Sequence, residues 1–345
     1  MRELSVPVRF VRAVLQNAPS FKIDTEALLE RCGIAPRLLE QKGARISIER
    51  FAQLQTATML AMDDEGLGYY RRPIPVGSWS MMCYAATSSR SLRTALQRYC
   101  RFFAMLDFGL MPALIESDGL ATIQFLKRHS DWLEVPFVSE RALFKCHRFS
   151  CWLIQEHIPL LSVRVPHKRA EFMEDYRDMF MGNPVEFDCP HTELAFSQRY
   201  LDKPLKVDER SLRSFLRSPT LSLLTPQYET SSWTMRVKQR LSEDRSLNLS
   251  MDDVAGRLHI HPQSLRRRLS EEGTSFKTIV MELHRDTALH HLGKRNISIE
   301  EVAFLSGFSE TSTFIRAFKR WTGLTPYTYR KNNLESHLGV RGQVS

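Results

Sequence analysis

ISIEEVAFLSGFSETSTFIRAFKRWTG, residues 297–323, repeats the design of LSMDDVAGRLHIHPQSLRRRLSEEG, residues 249–273, about 48 positions earlier. Each stretch opens on a capping box, Ser250-x-x-Asp253 and Ser298-x-x-Glu301, in which hydroxyl and carboxylate satisfy backbone donors that a helix start leaves orphaned. Val254-Ala255 and Val302-Ala303 follow at equivalent positions, and the small Ala255 and Ala303 let two steeply crossing helices approach closely. A tight turn comes next. In the second copy Gly307 supplies a left-handed residue, Phe308 plugs the turn, and Ser309 is placed to cap the following helix. That helix buries Phe314 and Phe318 at i, i+4; Leu265 and Leu269 hold the same phase in the first copy. Gly273 and Gly323 stand where the two second helices end. In the first copy His259 replaces the turn glycine and His261 the capping serine. Histidine tolerates the left-handed region better than most residues, and Pro262 suits a first helical turn, so a turn is expected there too.

Helical hairpins with matching cores occur widely, and residues 24–41 (DTEALLERCGIAPRLLEQ) also read helix, glycine turn, helix. Only the 249–273 and 297–323 pair combines caps, turn plugs and basic second helices. The run GFSETSTFIRAFKRWTGLTPYTYR (307–330) resembles the C-terminal signature of AraC/XylS-family transcriptional regulators. Gly307, Phe308, Ser309, Phe314, Arg316, Phe318, Lys319, Gly323, Pro326 and Arg330 stand where that signature has them. The resemblance spans about residues 231–331 and implies an all-α domain of seven helices, in which a long helix at about Ser275–Leu292 joins two helix-turn-helix units. PVEFDCPHTELAFSQRYLDKPL (184–205) resembles the arabinose-binding-domain-type sensor of the subgroup that contains ornithine and other metabolite regulators. That likeness implies an N-terminal α+β domain for effector sensing and dimerisation.

In a helix-turn-helix the second helix enters the major groove and its N-terminal residues meet base edges. Gln263, Arg266 and Arg267 hold those positions in the first unit, and Thr311, Ser312 and Arg316 in the second. Glutamine bonds adenine, and arginine guanine, through two hydrogen bonds each. Arg268, Lys319 and Arg320 lie further round or along the helices, towards the phosphates. Arg267 and Arg316 are equivalent in the repeat. Two such helices on one chain reach adjacent turns of the groove, roughly 34 Å apart, with modest DNA bending.

The 345 residues suggest two domains, and 43% hydrophobic with 25% charged residues is a globular composition. The net charge of +9 is uneven: residues 231–332 hold 17 Lys and Arg against 11 Asp and Glu, the electrostatic footprint of a nucleic-acid-binding module. A solvated basic surface is the plainer alternative on charge alone. Six cysteines without a CxxC pair, no secretory leader in MRELSVPVRFVRAV and no long apolar run suggest a cytoplasmic protein that neither enters a membrane nor forms disulfides.

Ahead of the double repeat, a helix is expected over Thr25–Arg31, capped by Asp24 and ended by Gly33, and another over Ser91–Leu106. Asp118-Gly119 between apolar runs reads as a type I′ hairpin turn. Helices follow at Glu140–His157 and near Lys168–Phe180, with strands at 161–165, 185–187 and 193–196. The division expected is an α+β domain over 1–205, a polar linker over 206–230 broken by Pro219 and Pro226, the DNA-binding domain over 231–332, and a tail over 333–345. Trp79, Tyr99, Phe102, Phe103 and Trp132 are candidates to line an effector cavity, although such stripes usually form plain core. Arg98, Arg101 and Lys145 are candidates to meet a carboxylate, which suggests a small carboxylate or acyl metabolite without fixing an effector site.

Enzyme readings fail on their own requirements. The Gly66-Leu67-Gly68 run meets Arg71 where a dinucleotide loop needs glycine, and His284-Arg285-Asp286 lacks the companions of a kinase catalytic loop. Cys146, His147, Cys151 and His157 have metal-capable spacing but no second cluster to complete a zinc site. No catalytic residue, metal or cofactor is expected. The partners expected are double-stranded DNA, a small-molecule effector, a second copy of the chain and, for an activator, RNA polymerase. Control by abundance without an effector, or a low-specificity architectural role, are the alternatives.

Overall fold

The computed structural model describes residues 5–41, 44–106, 108–129, 135–168, 176, 179–180, 183, 185–225, 233–243, 249–272, 274–292 and 297–335. Trp132, Gly273, most of the helix expected near Lys168–Phe180 and most of the 333–345 tail lie outside them. In chain order the first segment holds β1 (Ser5–Pro7), α1 (Val8–Leu15), α2 (Thr25–Arg31), β2 (Arg45–Ser47) and α3 (Ile48–Met62). The middle holds α4 (Ser78–Thr87), α5 (Leu92–Met105), β3 (Leu110–Ser117), β4 (Leu120–Lys127), α6 (Pro136–Ile154), β5 (Leu160–Arg164), β6 (Thr192–Ser197), α7 (Glu209–Arg217) and α8 (Pro219–Leu224). The last segment is helical: α9 (Trp233–Glu243), α10 (Met251–Arg257), α11 (Pro262–Glu271), α12 (Phe276–Leu292), α13 (Ile299–Leu305), α14 (Thr311–Thr322) and α15 (Pro326–Glu335). The two compact units are Met1–Thr58 with Trp233–Ser345, and Met59–Ser232; the first 58 residues thus group with the C-terminal helices, where the sequence reading kept them with the sensor.

The Met59–Ser232 unit is built on an antiparallel sheet in the order β3-β4-β6-β5. Asp118 and Gly119 have φ of 52° and 78°, the pair of left-handed residues that a type I′ turn needs to bring Ser117 opposite Leu120. Ser91 caps α5, whose Leu92, Leu96 and Tyr99 face a core shared with Ile123, Phe149 and Phe196. Helix α6 starts at Pro136, before the expected Glu140, because proline at the first position needs no partner for a missing N–H. The strand expected at 185–187 is a lone bridge between Arg164 and Glu186. The expected linker also differs: α7 and α8 bury Leu212, Phe215 and Leu223 in the same core, and Pro219 begins α8 rather than merely breaking a helix.

In the other unit Asp24 caps α2, accepting from the backbone N–H groups of Glu26 and Ala27 at 3.0 and 3.1 Å, and Gly33 follows with φ 67°. β1 and β2 form a two-stranded ribbon tied to the C-terminal helices. The Arg45 guanidinium donates to the Ser5 hydroxyl and carbonyl at 2.8 and 2.9 Å, the Ser5 hydroxyl donates to buried Asp286 on α12, and the Tyr329 hydroxyl donates to the Arg45 carbonyl at 3.1 Å. Asp286, the last residue of the kinase-like triplet, is therefore a structural acceptor on the long connecting helix.

The seven helices from α9 to α15 carry the two repeats. Val254, Ala255, Leu265, Leu269 and Ile279 close the first core, beneath a buried ion pair of Lys238 with Glu282 at 2.8 Å. The Glu272 carboxylate accepts from the backbone N–H groups of Trp233 and Thr234 at 2.7 and 2.8 Å, so the end of α11 satisfies the start of α9. The second core is aromatic: Phe314 lies 5.5 Å from Phe308 and 5.7 Å from Phe318, which lies 5.4 Å from Tyr329.

Both capping serines act as expected, Ser250 accepting from the Asp253 N–H at 3.2 Å and Ser298 from the Glu301 N–H at 3.0 Å. The reciprocal bond exists in the first copy, from the Ser250 N–H to Asp253 at 3.0 Å. In the second copy it is Glu300 whose carboxylate is held below the usual range, by its own N–H and then by the Ser298 hydroxyl. The turns match: His259 has φ 54° and Gly307 φ 80°, and Ile260 and Phe308 bond back to Ala255 and Ala303 at 3.1 and 3.0 Å. Phe308 is half-buried rather than a sealed plug, with its ring 5.3 Å from His284.

Ser309 does not cap α14; Glu310 holds that position and makes no side-chain cap bond, whereas His261 caps α11 by accepting from the Gln263 N–H at 3.2 Å. The turn is one residue longer in the second copy, so the repeat is spaced by 48 from Val254 to Val302 but by 49 from Leu265 to Phe314. His259 is exposed and left-handed, a conformation that costs an L-residue about 1–2 kcal/mol. His259→Gly removes that strain, less the extra freedom glycine gives the unfolded chain, and should raise stability by about 0.5–1 kcal/mol. The readout is the urea midpoint at unchanged slope; a lower midpoint would reveal a favourable imidazole contact.

Candidate DNA interface and sensor cavity

The exposed faces of α11 and α14 follow from helix phase. On α11 Leu265 and Leu269 are fully buried, which turns Gln263, Arg266 and Arg267 outward, and all three are exposed. On α14 burial of Phe314 and Phe318 turns Ser312, Arg316, Lys319 and Arg320 outward, while Thr311 is half-buried. Arg267 and Arg316 occupy the same step in the 49-residue spacing. Each makes only weak contacts: Arg267 Nε is 3.7 Å from Glu271, and Arg316 Nη2 is 3.4 Å from the Thr313 hydroxyl. An exposed pair at such distances holds a side chain loosely. Arg268 differs, since its guanidinium lies 4.3 Å from the centre of the Trp233 ring, which Arg236 also approaches at 4.1 Å. It is half-buried and stacked, so only its outer edge is left open. Ala255 and Ala303 sit buried at the crossings, and Pro326 is buried at the start of α15.

The Met59–Ser232 unit holds a cavity of about 50 Å³ between α4, α5, α6 and the β3–β4 hairpin. Of the residues read as candidate lining, Trp79, Tyr99, Phe103 and Lys145 line it; Phe102 packs against the core instead. Arg98 is a surface residue that bonds the Ala85 carbonyl and the Ser88 hydroxyl at 2.9 and 2.7 Å, and Arg101 is exposed. Lys145 therefore stands apart among the three cations proposed. Its ammonium lies 3.7 Å from the centre of the Trp79 ring, and burial, with Arg141 beside it, pushes its pKa down to about 7 against the opposing pull of Glu65.

Sequence reasoning missed Asp64, Glu65 and Arg141. Buried Asp64 accepts from the N–H groups of Gly66, Gly68 and Ile74 at 2.6, 2.7 and 2.7 Å, which folds the turn that forms one cavity wall. The Asp-x-Gly-x-Gly spacing was its signal, and testing those glycines only for a dinucleotide loop overlooked it. Glu65 accepts from the Gly77 and Trp79 N–H groups at 2.9 and 2.8 Å, satisfying the start of α4, and Arg141 donates to the Glu65 carbonyl at 2.6 Å.

Cys146, His147, Cys151 and His157, at and just beyond the end of α6, are all buried. His147 Nε2 bonds the Ile158 carbonyl at 2.8 Å, and burial, then Arg148, push the His147 pKa down to about 4. No group of residues able to hold a metal ion occurs among the described residues, nor does a helix long and apolar enough to cross a membrane.

Comparison with known proteins agrees with this anatomy. The N-terminal arabinose-binding domain of AraC transcription regulators matches residues 23–205, more than half of the chain, and a helix-turn-helix domain matches residues 254–332. The ornithine utilization regulator of Pseudomonas aeruginosa is 26% identical over 329 residues, covering 94% of this chain and 96% of that protein. An uncharacterised HTH-type transcriptional regulator of Mycobacterium tuberculosis is 26% identical over 340 residues, covering 95% and 97%. The crystal structure of the transcriptional regulator CdpR from Pseudomonas aeruginosa aligns with 73% of this chain and 81% of its own at 21% identity, with a TM-score of 0.29, too loose for residue-level comparison. With an arabinose-binding-type N-terminal domain ahead of a double helix-turn-helix, the chain belongs to the AraC family of DNA-binding transcription regulators.

Proposed function

We propose that this regulator reads a specific sequence across two adjacent major-groove turns, and that a small metabolite bound in its N-terminal domain controls it. The observation that carries the first half is the pair of recognition helices presenting exposed side chains in one phase, Gln263, Arg266 and Arg267 on α11 and Ser312 and Arg316 on α14. Thr311 completes the second base-reading set; Lys319, Arg320 and the outer edge of Arg268 take phosphates. Placing base-reading groups on both helices favours sequence discrimination over shape-blind binding, which phosphate contacts alone supply.

The second half rests on the cavity, where polar groups converge within aromatic walls. In this reading the effector module is the Met59–Ser232 unit, with Leu212, Phe215 and Leu223 of the 206–230 stretch packed into its core, and residues 231–332 bind DNA. The regulator acts in the cytoplasm as a homodimer and activates through RNA polymerase, and catalysis has no part in its action.

The test is a footprint of the purified protein on the DNA flanking its own gene, at physiological salt with non-specific competitor. A discrete protected site of about two helical turns per protomer is expected. Diffuse protection that disappears steeply with added salt would replace this reading with the architectural one.

A further inference from the structure

With the cavity taken as the effector site, its lining residues define what enters it. Two cations, Lys145 and Arg141, line the cavity against one carboxylate, Glu65. Both Glu65 oxygens already accept backbone N–H groups at the start of α4, at 2.9 and 2.8 Å. Two further donors on lining residues lack an acceptor: the indole Nε1 of Trp79, a residue only 5% exposed, and Nε of Arg141. The Lys145 ammonium meets the face of that same indole. The site therefore has spare donors and a spare positive charge, enclosed by the apolar surfaces of Ile74, Leu110 and Phe125. A buried donor left unmade and a buried charge left unpaired are both costly, so a site with this inventory is complementary to an acceptor carrying one negative charge.

We propose that the effector is a small monocarboxylate whose carboxylate pairs with Lys145 and accepts from Trp79 Nε1 and Arg141 Nε, with its apolar body against the aromatic wall. The volume of about 50 Å³ suits a carboxylate head and a short body. A pentose fits less well, since its hydroxyl donors need acceptors and the Glu65 oxygens are already engaged. Binding is coupled to a proton. Lys145 titrates near neutrality without ligand, in the field of Arg141, Glu65 and Cys83 and with Tyr70 and Tyr99 also lining the cavity. A bound carboxylate holds the ammonium charged, so affinity is level between about pH 5.5, where the free acid is still ionised, and about pH 7, and falls up to about tenfold per pH unit above that.

The experiment measures thermal unfolding of the full chain with propionate, butyrate and benzoate, each against its amide, and with L-arabinose, at matched ionic strength. A saturable rise in Tm with an acid and not its amide is expected. Its apparent Kd should weaken at least tenfold from pH 6.5 to 8.5 and more than tenfold in Lys145→Met, while Lys145→Arg restores binding with a flatter pH profile. An amide or L-arabinose that stabilises as strongly as the acids, with the shift lost in the cavity-narrowing Ala142→Trp, would overturn the carboxylate assignment and keep the cavity as effector site. An acid response undiminished in both Ala142→Trp and Lys145→Met would overturn the cavity reading as well. No saturable shift with any acid would overturn the carboxylate assignment.

Discussion

Replacing Arg267 and Arg316 together with alanine should weaken binding to the cognate site by about 2–6 kcal/mol, the sum of about 1–3 kcal/mol for each bidentate base contact. The two residues lie on different helices and share no partner, so their effects should add. Freeing Arg267 from Glu271 costs little, because the pair is 3.7 Å apart with both side chains mostly exposed. Each single substitution should also relax base preference at its own position in the footprinted site, on different turns of the groove. Lys319→Ala is the control: a lost phosphate contact weakens all sequences alike and lowers the salt slope by about one. Fluorescence anisotropy on the cognate site and single-base variants reads both effects. Unchanged affinity and preference in both arginine variants would remove α11 and α14 as the readers.

Much of the DNA-binding half was legible in the sequence because its signals are local. A capping serine, a residue before a left-handed turn and an i, i+4 apolar pair each act within one or two turns of chain, and Ser250, Ser298, Gly307 and Phe314 act as read. His259 was legible for the same reason. The misplaced cap at Ser309 shows the limit of aligning by residue type. A serine met the cap preference, but the buried phase of Phe314 and Phe318 fixes where α14 begins, and that phase puts the cap at Glu310. Core packing outweighed a cap bond, an effect worth typically about 1 kcal/mol.

The Met59–Ser232 unit was legible in its elements and poorly legible in its cavity. The Asp118-Gly119 turn and the α5 face could be read because each is periodic or short-range. The cavity assembles Glu65, Trp79, Tyr99 and Lys145 from four separated stretches, and no spacing rule links them. Lys145 and Arg98 looked alike in sequence; only packing shows that one lies against Trp79 and the other caps a surface carbonyl. The connection at 206–230 misled for a related reason. Its composition is polar overall, but Leu212, Phe215 and Leu223 lie on one side, and a few buried side chains suffice to make such a segment part of a core.

Gly307→Ala should destabilise the second helix-turn-helix by about 2–4 kcal/mol, and two separable causes contribute. Gly307 has φ 80°, so any Cβ incurs the left-handed strain of about 1–2 kcal/mol. The same Cβ would lie 2.8 Å from His284 Nε2 and 3.3 Å from its Cδ2 and Cε1, so the imidazole on α12 must move. That ring packs edge-on against Phe308, 5.3 Å between centroids, and Phe308 in turn packs on Phe314, so the displacement reaches the core that orients Arg316. Gly323→Ala separates the causes: φ is 76° there, but its Cβ would meet only Gln41 Oε1 at an ordinary 3.6 Å, so strain alone applies and the loss should be about 1–2 kcal/mol. Chemical denaturation of both variants, with His284→Ala measured alone and added to Gly307→Ala, completes a cycle in which shortening His284 should recover the steric part. Equal losses in the two glycine variants, with no recovery from His284→Ala, would show that the turn resists a side chain by backbone conformation alone. The close approach of α12 would then have no share in fixing the second recognition helix.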